Sequence, residues 1–218
     1  MLLYAYVTLL LLVIFFVFFG FKVVAKVPKK IRNLSIITLI FILIRYTILI
    51  LMFLQDNSKY MYMLKVFYFL YFISIPMCGM ISIYILLRSD KINFSNINLM
   101  SLILITLYLI TILKIPADIT LSSNYVLGYT IKLENNFFYI DILYLIFNVI
   151  FLIISVNIFN KNKSDKFGSS IAIFSSLSTI VTIMLPYVVD NVLPQYVIGE
   201  LLWCITLVYC LKKIEKNN

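Results

Sequence analysis

Seven apolar stretches, each long enough to cross a bilayer as a helix, leave this chain few architectures to choose from. They run from about Leu2 to Val24, Leu34 to Leu54, Tyr60 to Leu87, Ile97 to Leu113, Phe137 to Phe159, Gly168 to Val189 and Pro194 to Leu211. A hydrocarbon core about 30 Å thick takes about 20 helical residues. Between these runs there is little to build a soluble domain from, since 63% of the chain is hydrophobic, only 12% is charged, and the mean hydropathy is +1.07. A water-soluble fold of this size cannot hide that much apolar surface. A bilayer solvates it directly and asks only that backbone polar groups pair internally, as they do in a helix. The expected fold is all-α: a polytopic transmembrane seven-helix bundle forming one domain over residues 1–218, with a single long loop at 115–136.

The connections encode orientation. Thirteen basic residues between Lys22 and Lys216 fall in one set, against Lys59, Lys114 and Lys132 in the other. By the positive-inside rule the basic set is cytoplasmic. The carboxyl end is then expected in the cytoplasm and, with an odd helix count, the amino end outside. The same pattern accounts for the net charge of +9 without a nucleic-acid partner, because the basic residues sit in short segments between apolar runs rather than along one phosphate-tracking face. The first run lacks a basic stretch before it and carries its positive charges after it, so it is expected to remain as a helix rather than be cleaved as a signal peptide. Its polar groups, Tyr4, Tyr6 and Thr8, lie near the outer end, and much of its surface is expected to face lipid.

The third run is long enough to tilt, with Pro76 as the expected kink. In the long outer loop, Tyr129, Ile131 and Leu133 alternate with Thr130, Lys132 and Glu134 after Gly128, a period of two that predicts a short strand or hairpin. Such a loop serves either as a lid or simply as a cover that packs its apolar side on helix ends.

Charges inside the apolar runs are the most informative residues. Each costs about 2.5–3.5 kcal/mol at the bilayer centre, so such groups turn toward the protein interior. Four stand out: Arg45, Lys65, Asp141 and Glu200. At about 1.5 Å rise per residue, Arg45 and Glu200 fall near mid-membrane, whereas Lys65 and Asp141 fall in the outer half. One cation and one anion at each level predict a deep pair, Arg45–Glu200, and a shallow pair, Lys65–Asp141. Polar and aromatic neighbours extend the set. Asp141, Tyr144, Asn148 and Ser155 share a face of the fifth helix, Ser175, Ser178, Thr179, Thr182 and Pro186 one of the sixth, and Tyr196, Gly199, Glu200 and Trp203 one of the seventh. The fourth contributes Asn98, Ser101 and Tyr108. Lys65 is expected beside the rings of Tyr68, Phe69 and Phe72. The expected ligand cavity in the outer half is lined by Tyr68, Phe72, Tyr144, Asn148, Thr182 and Trp203. A second reading of the same residues is purely structural: interhelical hydrogen bonds worth about a kilocalorie or less each, and an ion pair that fixes helix registry. Lys65 and Asp141 can also snorkel to the outer interface.

Several chemistries are set aside. No histidine is present, so histidine-based triads and metal sites are excluded, and no phosphate-binding glycine loop occurs. Cys78, Cys204 and Cys210 lie inside apolar runs as small packing residues, not as a disulfide framework. The seventh helix has no mid-membrane lysine for a retinal Schiff base. No enzymatic activity, metal or cofactor is expected.

The run Lys65-Val66-Phe67-Tyr68-Phe69-Leu70-Tyr71-Phe72, followed by Pro76 and Tyr84 to Arg88, resembles the third helix of a known family. That family is the seven-helix sensor region at the amino end of bacterial histidine kinases and related signalling proteins. Leu185-Pro186, Asn191 to Lys213 and the loop with Gly128 are similar in character, so the likeness covers roughly Ser35 to Lys213. The resemblance implies a receptor whose outer bundle senses a small molecule, lipid or peptide. It also implies a cytoplasmic output domain after the last helix. The sequence stops at Asn218, so the signal is expected to pass to a separate partner through the basic loops.

The functional expectation is therefore a receptor-like or accessory membrane protein of the cell membrane. Its partners would be the bilayer, a small ligand from outside and a cytoplasmic or membrane protein. A small transporter or transport subunit is the first alternative, and a partner-binding or immunity-type protein the second. Heavy use of Ile, Asn, Lys, Phe and Tyr fits an AT-rich bacterial genome.

Overall fold

The computed structural model describes residues 2–54, 61–87, 94–121, 129–133, 137–161, 165–185 and 196–217. Its helices are α1 (Leu2–Val24), α2 (Lys29–Leu54), α3 (Met61–Tyr68), α4 (Tyr71–Leu87), α5 (Phe94–Lys114), α6 (Phe137–Phe159), α7 (Lys166–Met184) and α8 (Val197–Asn217). A hairpin of β1 (Ala117–Leu121) and β2 (Tyr129–Leu133) lies between α5 and α6. Because α3 and α4 are two halves of one rod, the described residues form seven rods and are all-α apart from the hairpin. Six rods are long and apolar enough to cross a membrane. In the seventh, α8, Glu200 and the pair Lys212 and Lys213 bracket a shorter apolar stretch.

Helices extend past the apolar runs where the chain favours it. Residues 29–33 continue α2 below Leu34, because Pro28 fixes its own φ at the helix start and its carbonyl accepts from the Arg32 N–H at 2.9 Å. The lysine-rich end of α8 stays helical to Asn217, lysine being a good helix former. Positions 186–190, where the sixth apolar run was expected to end and Pro186 to kink it, lie outside the described residues.

α4 and α8 form the centre. α8 touches α1, α4 and α7, while α4 also touches α2, α5 and α6. α1 contributes a stripe of Tyr6, Leu10, Val13 and Val17 to this core and leaves Leu11, Phe15 and Phe18 exposed. Apolar helices gain nothing by leaving lipid for each other, so close packing and hydrogen bonds must hold them together. α7 meets this need with Gly168, Ser169, Ala172, Ser175, Ser176 and Thr179, all buried. Ser175 and Thr206 share a 2.7 Å hydrogen bond between α7 and α8. At Gly199 the two helices approach so closely that an added Cβ would sit 2.8 Å from the Thr179 Cα.

The third rod breaks at Phe69 and Leu70, not at Pro76 as expected, and α4 runs uninterrupted through that proline. At the break the backbone tightens. The Leu70 N–H donates to the Phe67 carbonyl and the Phe72 N–H to the Phe69 carbonyl, three residues back instead of four. Carbonyls of Val66 and Tyr68 are thereby freed inside an apolar bundle, where an unsatisfied polar group is costly. Side chains from two other helices fill them: the Tyr108 hydroxyl donates to the Val66 carbonyl, and Arg45 Nη1 donates to the Tyr68 carbonyl at 3.2 Å. Those donors are why the discontinuity is tolerated nearly two turns before the proline.

In the hairpin, Ile119 pairs with Ile131 and Asp118 with Lys132. Ile131 is buried and Ile119 partly so, with β1 against α3 and β2 against α2. The loop thus packs an apolar side on the helix ends. Gly128 and Glu134 lie outside the described residues.

Two ion pairs gather the opposite end of the bundle. Lys26 Nζ lies 2.5 Å from Glu215 Oε1, and Lys213 Nζ lies 2.5 Å from Asp165 Oδ2. Together they bring the α1–α2 turn, the start of α7 and the end of α8 into contact. Asp165 also caps α7, accepting from the Gly168 N–H at 3.1 Å. Partial burial pushes its carboxyl upward, but the hydrogen bonds from Lys213 and Gly168 outweigh that and hold it below the usual aspartate range. A carboxyl depressed on folding stabilises the fold fully above its unfolded pKa, and that contribution disappears as pH falls through the folded value. Asp165→Ala is expected to cost about 0.5–2 kcal/mol, the range for a lost N-cap. In detergent, the gap in melting temperature between wild type and variant is expected to be widest near neutral pH and to narrow below about pH 4.

Candidate functional site

Arg45 organises the polar interior. It is wholly buried near the middle of α2, and so is Glu200 on α8 at 1% exposure. Arg45 Nη2 lies 2.8 Å from Glu200 Oε1. The contact is close but not aligned as a hydrogen bond, so its attraction is mainly Coulombic. Arg45 meets two further groups. Nη1 donates to the Tyr68 carbonyl, and the guanidinium carbon stands 4.1 Å from the centre of the Tyr71 ring. The Tyr46 hydroxyl donates to the other oxygen of Glu200 at 2.9 Å. One buried cation is thus held by a carboxylate, a ring face and a backbone carbonyl from α8, α4 and α3. The deep pair expected from depth alone is brought together here.

The shallow pair is not. Lys65 donates to the Ile115 carbonyl at the end of α5, and Asp141 Oδ1 accepts from the Tyr196 hydroxyl at 2.5 Å. Lys65 points toward the hairpin base rather than over the rings of Tyr68, Phe69 and Phe72. Lys65 is half-buried and takes up a helix-end carbonyl on α5, whereas Asp141 is buried on α6 and takes up a hydroxyl. Equal depth did not imply adjacency.

Between the two levels lies an aromatic cluster. Tyr71, Tyr144 and Tyr196 meet with ring centroids 5.5–5.7 Å apart, and Phe72 stacks on Tyr71 at 4.3 Å. Below it, Trp203 Nε1 donates to Asn148 Oδ1 at 3.1 Å, while the Asn148 amide returns to the Tyr144 carbonyl. Tyr68 and Phe69 are buried at the break. Thr182 is half-buried and its hydroxyl bonds the Thr179 carbonyl of its own helix, so it joins none of these contacts. Arg45 Nε and the Tyr144 hydroxyl are among the buried polar atoms that have no hydrogen-bond partner among the described residues, as are the Ser35, Ser74, Ser82 and Ser155 hydroxyls.

Depth reasoning missed Tyr46, Tyr71 and Thr206. The first two adjoin residues it did single out, Tyr46 following Arg45 and Tyr71 lying within the aromatic run, and a buried charge always needs more than one partner. Thr206 carried no signal beyond sitting about one turn from Trp203. Compared with known proteins, the chain matches no family model, no curated protein and no solved structure.

Proposed function

We propose that this chain is a non-enzymatic, receptor-like multi-pass protein of the cell membrane, with its amino end outside and its basic end in the cytoplasm. The excess of Lys and Arg at one end supports that orientation. The observation that carries the reading is the double engagement of Arg45: one side chain grips Glu200 on α8 and the Tyr68 carbonyl at the end of α3. α3 and the hairpin belong to the outer half, and α8 runs from Arg45 to the basic end. A small molecule, lipid or peptide with higher affinity for a state in which α3 has shifted would release Arg45 from Tyr68 and alter its hold on α8. Such a ligand needs differential affinity for the two states, not merely tight binding. Arg45 Nε and the Tyr144 hydroxyl supply spare hydrogen-bonding capacity for a guest.

Coupling is testable without the ligand. Pairs of spin labels placed at Tyr62 and Leu113, and at Lys30 and Lys216, all exposed, report the two ends in reconstituted protein. Arg45→Gln is expected to add a second distance population at both ends. A change confined to the hairpin end would rule the receptor mechanism out.

The interrupted third rod favours a second reading, transport, because broken helices line the sites of many carriers. Solute flux in proteoliposomes separates the two.

A further inference from the structure

The basic end has more cation than the protein itself can satisfy. Among the described residues it holds ten basic side chains and two acidic ones, and both acids are already paired, Glu215 with Lys26 and Asp165 with Lys213. Lys29, Lys30, Lys166, Lys212 and Lys216 are exposed and bridge to no carboxylate among the described residues.

Where these lysines sit matters as much as their number. Lys29 and Lys30 open α2, Lys166 opens α7, and Lys212 and Lys216 close α8, so each stands at the boundary between an apolar span and a polar connection. Aromatic groups accompany them. Phe167, 65% exposed, follows Lys166 directly and packs edge-on against Tyr209 with centroids 5.3 Å apart. Lys212 stands 5.7 Å above the Phe19 ring. A ring reaching into the acyl boundary beside an ammonium at the phosphate level matches a phospholipid at both of its ends. A soluble acidic protein would satisfy the charges but not the exposed ring.

We propose that this end is a docking surface for anionic phospholipids, whose phosphates bind Lys29, Lys30, Lys166, Lys212 and Lys216 while Phe167 inserts among the upper acyl carbons. The inference stands apart from the receptor reading, since a carrier or an assembly subunit would hold the same lipids.

The test uses the full chain reconstituted in phosphatidylcholine vesicles containing trace spin-labelled phosphatidylglycerol or spin-labelled phosphatidylcholine. The motionally restricted fraction of each probe gives its relative association with the protein. Wild type is expected to favour phosphatidylglycerol by about threefold or more at low salt, and the preference is expected to collapse near 1 M salt, where screening acts within about 3 Å. Lys29→Gln/Lys30→Gln/Lys212→Gln/Lys216→Gln is expected to bring the preference close to one, while the corresponding arginine replacements keep it. Equal association of both probes with wild type overturns the proposal and leaves this face to a soluble acidic partner. A preference that survives both high salt and the glutamine variant overturns it as well. The salt series needs no variant, so a misfolded quadruple mutant cannot shelter the idea.

Discussion

Glu200→Ala is expected to destabilise the bundle by about 3–5 kcal/mol, the cost of stranding one member of a buried ion pair. The charge left behind, Arg45, is wholly buried inside the bundle and retains only a carbonyl and a ring face. The Tyr46 hydroxyl would lose its acceptor as well. Arg45→Ala is expected to cost at least as much, because it strands Glu200 and also leaves the Tyr68 carbonyl unsatisfied. Arg45→Leu/Glu200→Leu should recover most of the loss, since well-packed apolar groups often replace a buried pair without penalty. It should not recover all of it. The Tyr68 carbonyl would remain without its donor, worth about 1–3 kcal/mol for a buried polar group. Equilibrium unfolding in mixed micelles reads all four proteins. Equal, near-zero effects of the single changes would mean that the two groups do not depend on one another.

The second large effect is expected at Gly199. Alanine normally improves a helix relative to glycine, by roughly 0.5–1 kcal/mol. At this position the new methyl would lie 2.6 Å from the Thr179 hydroxyl oxygen and 2.8 Å from its Cα. Backbone cannot rotate away, so α7 and α8 must separate, and the cost of overpacking is about 1–3 kcal/mol. Separation would carry the neighbouring Glu200 with it and loosen the Ser175–Thr206 bond. Gly20→Ala is the control. There the new methyl meets only side-chain carbons of Leu39 and Val208 at 3.1–3.2 Å, which can give by a few tenths of an ångström. The unfolding measurement should therefore separate the two glycines clearly, with Gly199→Ala much the more damaging. Comparable stabilities would show that the α7–α8 crossing is looser than described.

Apolar run length made the helical rods legible, because the bilayer fixes how many residues a span takes. Period two in residues 129–133 showed a strand for a similar reason, as one face had to be apolar to rest on the helices. What depth could say of the site was limited to height. Arg45 and Glu200 share a level and meet, whereas Lys65 and Asp141 share a level and do not, because rotation of each helix about its own axis decides which way a side chain faces. That rotation comes from packing against neighbours, and single-helix periodicity is weak where lipid and protein are both apolar. Pro76 misled for a related reason. Proline marks where a hydrogen bond must be missing, but the break settled at Phe69 and Leu70, where Arg45 and Tyr108 could replace the lost backbone partners. No local feature of the third run announces donors from α2 and α5.

The central claim is that a buried guanidinium is held by a carboxylate from another helix. Magic-angle-spinning NMR measures this directly in lipid bilayers, through dipolar recoupling between ¹⁵N-labelled arginine side chains and ¹³C-labelled glutamate carboxyl carbons. Assignment comes from loss of the signal in Arg45→Gln. A contact within about 4 Å, the span of a direct guanidinium–carboxylate pair, is the predicted result. An Arg45 side chain that shows no carboxylate coupling and instead exchanges magnetisation with lipid or water protons would contradict the account.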